Sequence, residues 1–211
     1  MDTAVETTQS GRRPGWILRS IGKILLTAAA IMGAYIIWLL WGTGIVHGRQ
    51  QDQLRDDVRV RIEEAAAAPD VQQAPALPGQ AYAVLEIPDL DLSEVVVEGI
   101  TTEALQKGPG HYPRSADPWD PEGRVAIAGH RTTYGAPFWD LDKLQAGDEI
   151  RMVTEKGIFD YVVSKTRIVA PTATEVTIPS SHPTLILTTC NPRFSAAERL
   201  IVFADLVTPA V

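Results

Sequence analysis

The run 184–194, "TLILTTCNPRF", carries the only cysteine of a 211-residue chain. β-Branched and aliphatic residues lead up to Cys190, and Asn191-Pro192 follows it. The stretch therefore reads as a strand ending at the cysteine, since proline donates nothing to a ladder. Alternation places Cys190, Thr188, Ile186 and Thr184 on one face, and Leu185, Leu187 and Thr189 on the other. A single cysteine cannot close an internal disulfide. The thiol is then either a small buried hydrophobe or a reactive group held near a loop.

Six further runs around it share that character: 82–87 (YAVLEI), 93–99 (SEVVVEG), 124–130 (RVAIAGH), 148–154 (DEIRMVT), 158–169 (IFDYVVSKTRIV) and 199–206 (RLIVFADL). They are brief, rich in Val, Ile, Leu and aromatics, and bounded by Gly, Pro, Asp and Ser, which predicts a compact barrel or sandwich. Helical candidates are few. Residues 101–108 (TTEALQKG) open on a threonine cap and close at Gly108, and 138–145 (FWDLDKLQ) is ended by Gly147. Residues 81–211 suffice for one core and are too few for two.

Upstream, Ile24 to Val46 form an uncharged run of 23 residues. As a helix it would extend roughly 34 Å, enough for a bilayer core of about 30 Å. Trp16 lies before it, and Tyr35, Trp38 and Trp41 toward its end, as expected at the two water interfaces. Arg12, Arg13, Arg19 and Lys23 precede the run; Arg49, Arg55, Arg59 and Arg61 follow it. Four cations on each side leave the positive-inside rule undecided. Arg19 and Lys23 abut the run, and the run exceeds a cleavable signal's apolar core, so the expectation is an uncleaved signal anchor with its amino terminus inside. Four segments follow: 1–23 cytoplasmic, 24–46 transmembrane, 47–80 a polar stalk helix with a proline-rich linker, and 81–211 a β-rich domain outside the cell.

Charge sharpens the picture of that domain. Residues 81–211 hold 11 Lys+Arg against 18 Asp+Glu, whereas residues 1–80 hold eight of each. An acidic domain without a basic run has no means of gripping phosphate backbones, which excludes nucleic acid as a partner. No His/Cys/Asp cluster has ligand spacing, so neither a metal nor another cofactor is expected.

A thiol with an ordinary pKa of about 8.5 needs a partner to act as a nucleophile near neutrality. His47 lies at the membrane boundary, His111 in the glycine-rich turn "GPGHYP", and His182 before a proline. His130 ends the run "RVAIAGH", so two strand ends would each present half of a Cys/His pair. A cation entering the same region would stabilise an oxyanion. Arg193 and Arg199 both follow the cysteine. Arg199 opens a strand that must return antiparallel beside Cys190, leaving Arg193 at the loop tip. The competing role for Arg199 is a surface ion pair with Glu198 or Glu175.

The segments "AGHRTTYGAPFWDLDKLQAGD" and "LTTCNPRFSAAERLIV" together resemble the sortases, cysteine transpeptidases of Gram-positive cell surfaces. The resemblance covers roughly residues 81–206. The family's Thr-Leu-x-Thr-Cys pattern falls on residues 186–190, with Ile186 in place of the first threonine. It implies an eight-stranded β-barrel with short helices, Cys190 as nucleophile, His130 as general acid/base and Arg199 as ligand of the oxyanion and substrate backbone. The implied reaction cleaves a C-terminal LPxTG-type sorting motif between Thr and Gly, holds the Thr as a thioester, and passes it to an amine on a peptidoglycan precursor. Surface proteins bearing the motif would be the clients.

"GPGHYP" and the amino-terminal anchor look most like class E housekeeping sortases, which prefer Ala at the second motif position. By that resemblance Tyr112 is a substrate-binding candidate, with Thr188 beside it on the cysteine's face. The read chain ends at Val211 without an apolar tail, which favours wall attachment over the pilin-polymerising alternative. A non-catalytic membrane-tethered β-domain with an inert Cys190 is the other reading. A cysteine transpeptidase acting directly on peptidoglycan peptides finds no SHG-type turn to support it.

Overall fold

A computed structural model describes residues 15–38, 42–71, 73–173, 178 and 180–208. Two compact units divide the chain near Leu39. The first is a helix, α1 (Gly15–Ile37), which is long and apolar enough to cross a membrane. It starts ahead of the uncharged run and takes in Arg19 and Lys23. The run's carboxy-terminal end falls instead on a second helix, α2 (Thr43–Ala67), in the other unit.

Eight strands of that second unit close into a barrel: β1 (Ala81–Ile87), β2 (Leu92–Glu98), β3 (Gly110–His111), β4 (Arg124–Ala128), β5 (Glu149–Thr154), β6 (Gly157–Val169), β7 (Thr184–Asn191) and β8 (Glu198–Thr208), in the spatial order β1-β2-β3-β4-β7-β8-β6-β5. The interior is filled by one side of each alternating strand, among them Leu85, Ile87, Val125, Ile127, Ile150, Met152, Leu185, Leu187 and Val202. Closure gives each strand a neighbour on both sides. Strand β3 has only two residues, pairing parallel with β2 and antiparallel with β4. It lies inside "GPGHYP", which the sequence presents as a turn.

Helices are shorter than their sequence promises. Thr101 accepts a hydrogen bond from the Ala104 amide and caps α3 (Thr102–Leu105), a single turn. Of "FWDLDKLQ" only Leu141–Lys143 coil, as a 3-10 turn. Phe138 and Leu141 are drawn into the core, and Trp139, Asp140 and Asp142 are engaged by arginines from elsewhere.

The polar helix after α1 is more than a stalk. Leu54 and Val58 of α2 are buried against Ala81, Val95, Val97 and Ala104 on the outside of the barrel. Burying two such side chains contributes about 1.5–3 kcal/mol each. Gln51 mimics a neighbouring strand: its Oε1 accepts from the Val95 amide at 2.7 Å, and its Nε2 donates to the carbonyls of Val95 and Lys107 at 3.1 and 2.9 Å. Arg55 reaches Ser93, and Arg61 pairs with Glu155 at 2.6 Å. The contact residues recur at helical spacing behind a charged exterior, so mean composition hides them.

Candidate active site

Strand register assembles the site. β4 and β7 run parallel with Ala128 opposite Thr188, and the match continues past the end of β4. The Gly129 amide donates to the Thr188 carbonyl at 3.0 Å, and Thr189 Oγ1 donates to the Gly129 carbonyl at 2.7 Å. The next residue on each strand is His130 and Cys190. Across the other edge of β7, Cys190 is paired directly with Arg199 of β8. Two adjacent strands and the extension of β4 beside them, with strands about 4.8 Å apart, thus carry His130, Cys190 and Arg199 at one level.

Alternation sends all three to the outer face. Ala126, Ile186, Ile201 and Phe203, two or four positions back or on along the same strands, form an apolar cluster outside the barrel, with Tyr112 and Val169 packed against it. The three polar side chains therefore stand at the head of an apolar floor. Cys190 is half-buried and free.

His130 is partly enclosed. Its Nδ1 lies 3.5 Å from Thr133 Oγ1, its ring centroid lies 5.0 Å from that of Tyr134, and its Nε2 is buried without a hydrogen-bond partner among the described residues. Burial, with a smaller contribution from His47, holds its pKa below the usual histidine value. A neutral imidazole with a free ring nitrogen can accept a proton from a neighbouring thiol. Arg199 Nη1 donates to the backbone carbonyls of Ala196 and Glu198 at 3.2 and 3.0 Å. The Glu198 carboxylate is engaged by Asn191 Nδ2 at 2.8 Å, and Glu175 lies outside the described residues. Burial raises the Tyr112 phenol pKa while the Arg199 charge works against it, which puts the tyrosine in the field of the same arginine. Thr188 shares the cysteine's face but is 5% exposed, so its side chain offers a ligand little surface.

Arg193 stands apart from this row. Its guanidinium lies over the Trp139 ring at 4.7 Å and binds Asp140 and Asp142, each at 3.1 Å. The sequence reading passed over Arg131, which is 4% exposed. Its Nη1 donates to Asn191 Oδ1 at 2.6 Å and to the Cys190 carbonyl at 3.3 Å, while its Nη2 pairs with Asp142 at 3.0 Å. It ties the His130 loop to the end of the cysteine's strand. Its position directly after the histidine was the available signal.

Two of the other histidines, His182 and His111, serve elsewhere. His182 is exposed, 3.6 Å from Asp205. His111 is buried beside a cleft of about 360 Å3, stacked on Tyr82 at 4.4 Å between centroids. Ser115 Oγ lies 2.9 Å from its Nε2 and Glu98 Oε2 lies 2.8 Å from its Nδ1, which has the outline of a Ser-His-Glu triad. Ser115, however, donates its proton to the Tyr112 carbonyl at 2.9 Å and accepts the Ala126 amide at 3.1 Å. With that proton committed, the cluster braces the loop after β3. Among the described residues no His/Cys/Asp/Glu group is arranged to hold a metal.

Comparison with known proteins identifies the family. A family model described as the sortase domain matches residues 85–207. Sortase SrtE1 of Streptomyces coelicolor is 30% identical over 93% of this chain, and sortase D of Bacillus subtilis is 38% identical over 62% of it. The matches span 60% and 66% of those two relatives' lengths. Among solved structures, sortase E1 from S. coelicolor with a tripeptide in its active site aligns with a TM-score of 0.57 at 31% identity, covering 65% of this chain and 93% of that one. Sortase E from Streptomyces avermitilis aligns at 0.54 and 37% identity, covering 63% and 91%. With its closed eight-stranded barrel and a family match over most of that barrel, the chain belongs to the sortase family of cysteine transpeptidases, and it is similar to members of class E.

Proposed function

We propose that this sortase joins surface proteins to a cell-wall amine through a thioester on Cys190. The observation that carries the reading is the row His130, Cys190, Arg199 on two neighbouring strands and the extension of β4, above an apolar floor. His130 takes the thiol proton, and the sulfur attacks the carbonyl carbon of a Thr–Gly bond in a sorting motif. Arg199 supplies a forked cationic donor for the oxyanion. As the intermediate collapses, the C–N bond breaks, imidazolium protonates the departing glycine amine, and the threonyl carbonyl remains on sulfur. An incoming amine then attacks the thioester, gives its proton to His130 and releases the thiolate. Supporting the substrate class is the similar class E enzyme whose structure contains a tripeptide in its active site.

In the same reading α1 tethers the enzyme to the membrane, with residues before it cytoplasmic and the barrel outside. The sorting motif is of the LAxTG or LPxTG type, with Tyr112 at the second position. Incubating the full chain with a panel of such peptides should leave a threonyl-terminated adduct on Cys190, seen by mass spectrometry and absent from Cys190→Ala. No adduct with any member of the panel would overturn the substrate class. A membrane-impermeant maleimide, which has one thiol to find, should label wall-stripped intact cells. Labelling of the folded protein only after lysis would reverse the orientation.

A further inference from the structure

The proposed mechanism leaves unused a buried histidine on the outer helix. His47 of α2 is 5% exposed. Its Nε2 donates to Glu94 Oε2 at 3.0 Å, and its Nδ1 is buried with no partner among the described residues. The ring lies flush against the loop that follows His130. A Cβ placed on Gly135 would sit 2.2 Å from His47 Cδ2 and 2.6 Å from Cγ, so only glycine lets loop and ring approach this closely.

That loop is conformationally demanding. Tyr134, Gly135 and Ala136 all have positive φ, at 52°, 75° and 47°. Two of the three are not glycine, a conformation that must be held by its surroundings. The surroundings here are His47 on one side and Gln106, whose Nε2 donates to the Tyr134 hydroxyl at 3.4 Å. Tyr134 in turn contacts the His130 ring. The chain of contact runs from α2 through the loop to the imidazole.

We propose that His47 is a positioning residue for the reaction: anchored by Glu94 and seated on Gly135, it fixes the 131–136 loop and with it the orientation and protonation of His130. This rests on the role assigned to His130 above. The groups around His130 are His47 from α2, with Glu94 of β2 behind it, Arg131 and Tyr134 of its own loop, Cys190 of β7 and Arg199 of β8. Of these, His47 is the one whose charge depresses the His130 pKa, in addition to burial. The helix that follows the membrane segment is therefore a wall of the active site.

The test uses the full chain in lipid nanodiscs and two variants. His47→Gln keeps a donor for Glu94 without a charge, and His47→Phe keeps a ring against Gly135 with neither donor nor charge. kcat and KM for a sorting peptide are followed across about pH 5 to 8, where histidine titrates. The His130 ring is followed in parallel by NMR of selectively labelled histidines. In both variants the His130 titration and the matching kinetic limb should move to higher pH. kcat should fall about ten- to a hundredfold, with KM changed less than about twofold. A wild-type titration and wild-type kcat in both folded variants would overturn the role of His47. Failure of the wild type to turn over any peptide would instead overturn the functional reading, and the NMR titration would still decide whether His47 acts on His130.

Discussion

Gly129 precedes His130, and its backbone angles are open to any residue, so alanine there is tested by space alone. A Cβ at 129 would lie 2.5, 2.7 and 2.9 Å from three carbons of the Phe138 ring, whereas carbons settle at about 3.5–4.0 Å. Phe138 cannot swing away. It is fully buried in the main core, and its amide donates to the His130 carbonyl at 3.1 Å. Roughly 1 Å must therefore be found by moving the end of β4, and His130 moves with it. Overpacking of this kind costs about 1–3 kcal/mol. Restricting the unfolded chain returns about 0.4–1 kcal/mol, so the balance is destabilising. We expect Gly129→Ala to lower Tm by several degrees and kcat/KM by about a hundredfold. Both would be followed by thermal denaturation and peptide turnover on the same preparation. Phe138→Leu should partly relieve the substitution, making the double variant less impaired than the two effects combined. Wild-type Tm and turnover in Gly129→Ala, or strict additivity in the double variant, would refute the steric argument.

Arg199→Lys should lose most peptide turnover, because a point charge cannot reproduce a planar fork, while Arg193→Lys, which alters exposed ion pairs with Asp140 and Asp142, should keep near-normal rates. The reverse order in kcat/KM would reassign the oxyanion ligand. Tyr112→Ala should narrow a preference for LAxTG over LPxTG peptides by roughly five- to thirtyfold, chiefly by slowing the alanine substrate. An unchanged ratio of specificity constants would remove Tyr112 from the groove. Because burial holds the folded His130 pKa below the unfolded value of about 6.5, the unfolded chain binds more protons in that window, and stability falls as pH drops through it. Denaturant unfolding on either side of pH 6.5 should show a shallower pH dependence in His130→Gln, and an equal slope would contradict the enclosed neutral ring.

Seven of the eight strands announce themselves in runs of β-branched and aliphatic residues. β3 does not, because two residues between Pro109 and Tyr112 carry no periodicity; its pairing is imposed by β2 and β4. "FWDLDKLQ" has helical spacing, yet tertiary demands override it. Ala136 is left-handed just before it, Phe138 is pulled inward, and its two aspartates are held by Arg131 and Arg193. The residue types assigned to the proposed reaction stood out because each combines rare chemistry with a strand end. Residues that position them are ordinary in type. Arg131 and His47 become legible only when the loop after β4 is folded back between Asn191 and α2.

The register of β7 decides more than any one of its residues. Leu185 and Leu187 point into the barrel core, while Ile186 and Cys190 take the opposite face. A slip of one position would drive Cys190 inward and bring Thr189 out. It would also carry Leu185 and Leu187 out of the core they fill, turn the threonine hydroxyls of Thr184 and Thr188 into it, and break the hydrogen bond from Thr189 Oγ1 to the Gly129 carbonyl. The same alternation that fills the core therefore aims the thiol. Because β4 is parallel to β7 and β8 antiparallel, a histidine entering from one edge and an arginine returning along the other reach the level of the cysteine without further adjustment. A residue inserted into or deleted from β7 upstream of Cys190 should thus abolish turnover through the core, even with His130, Cys190 and Arg199 all present.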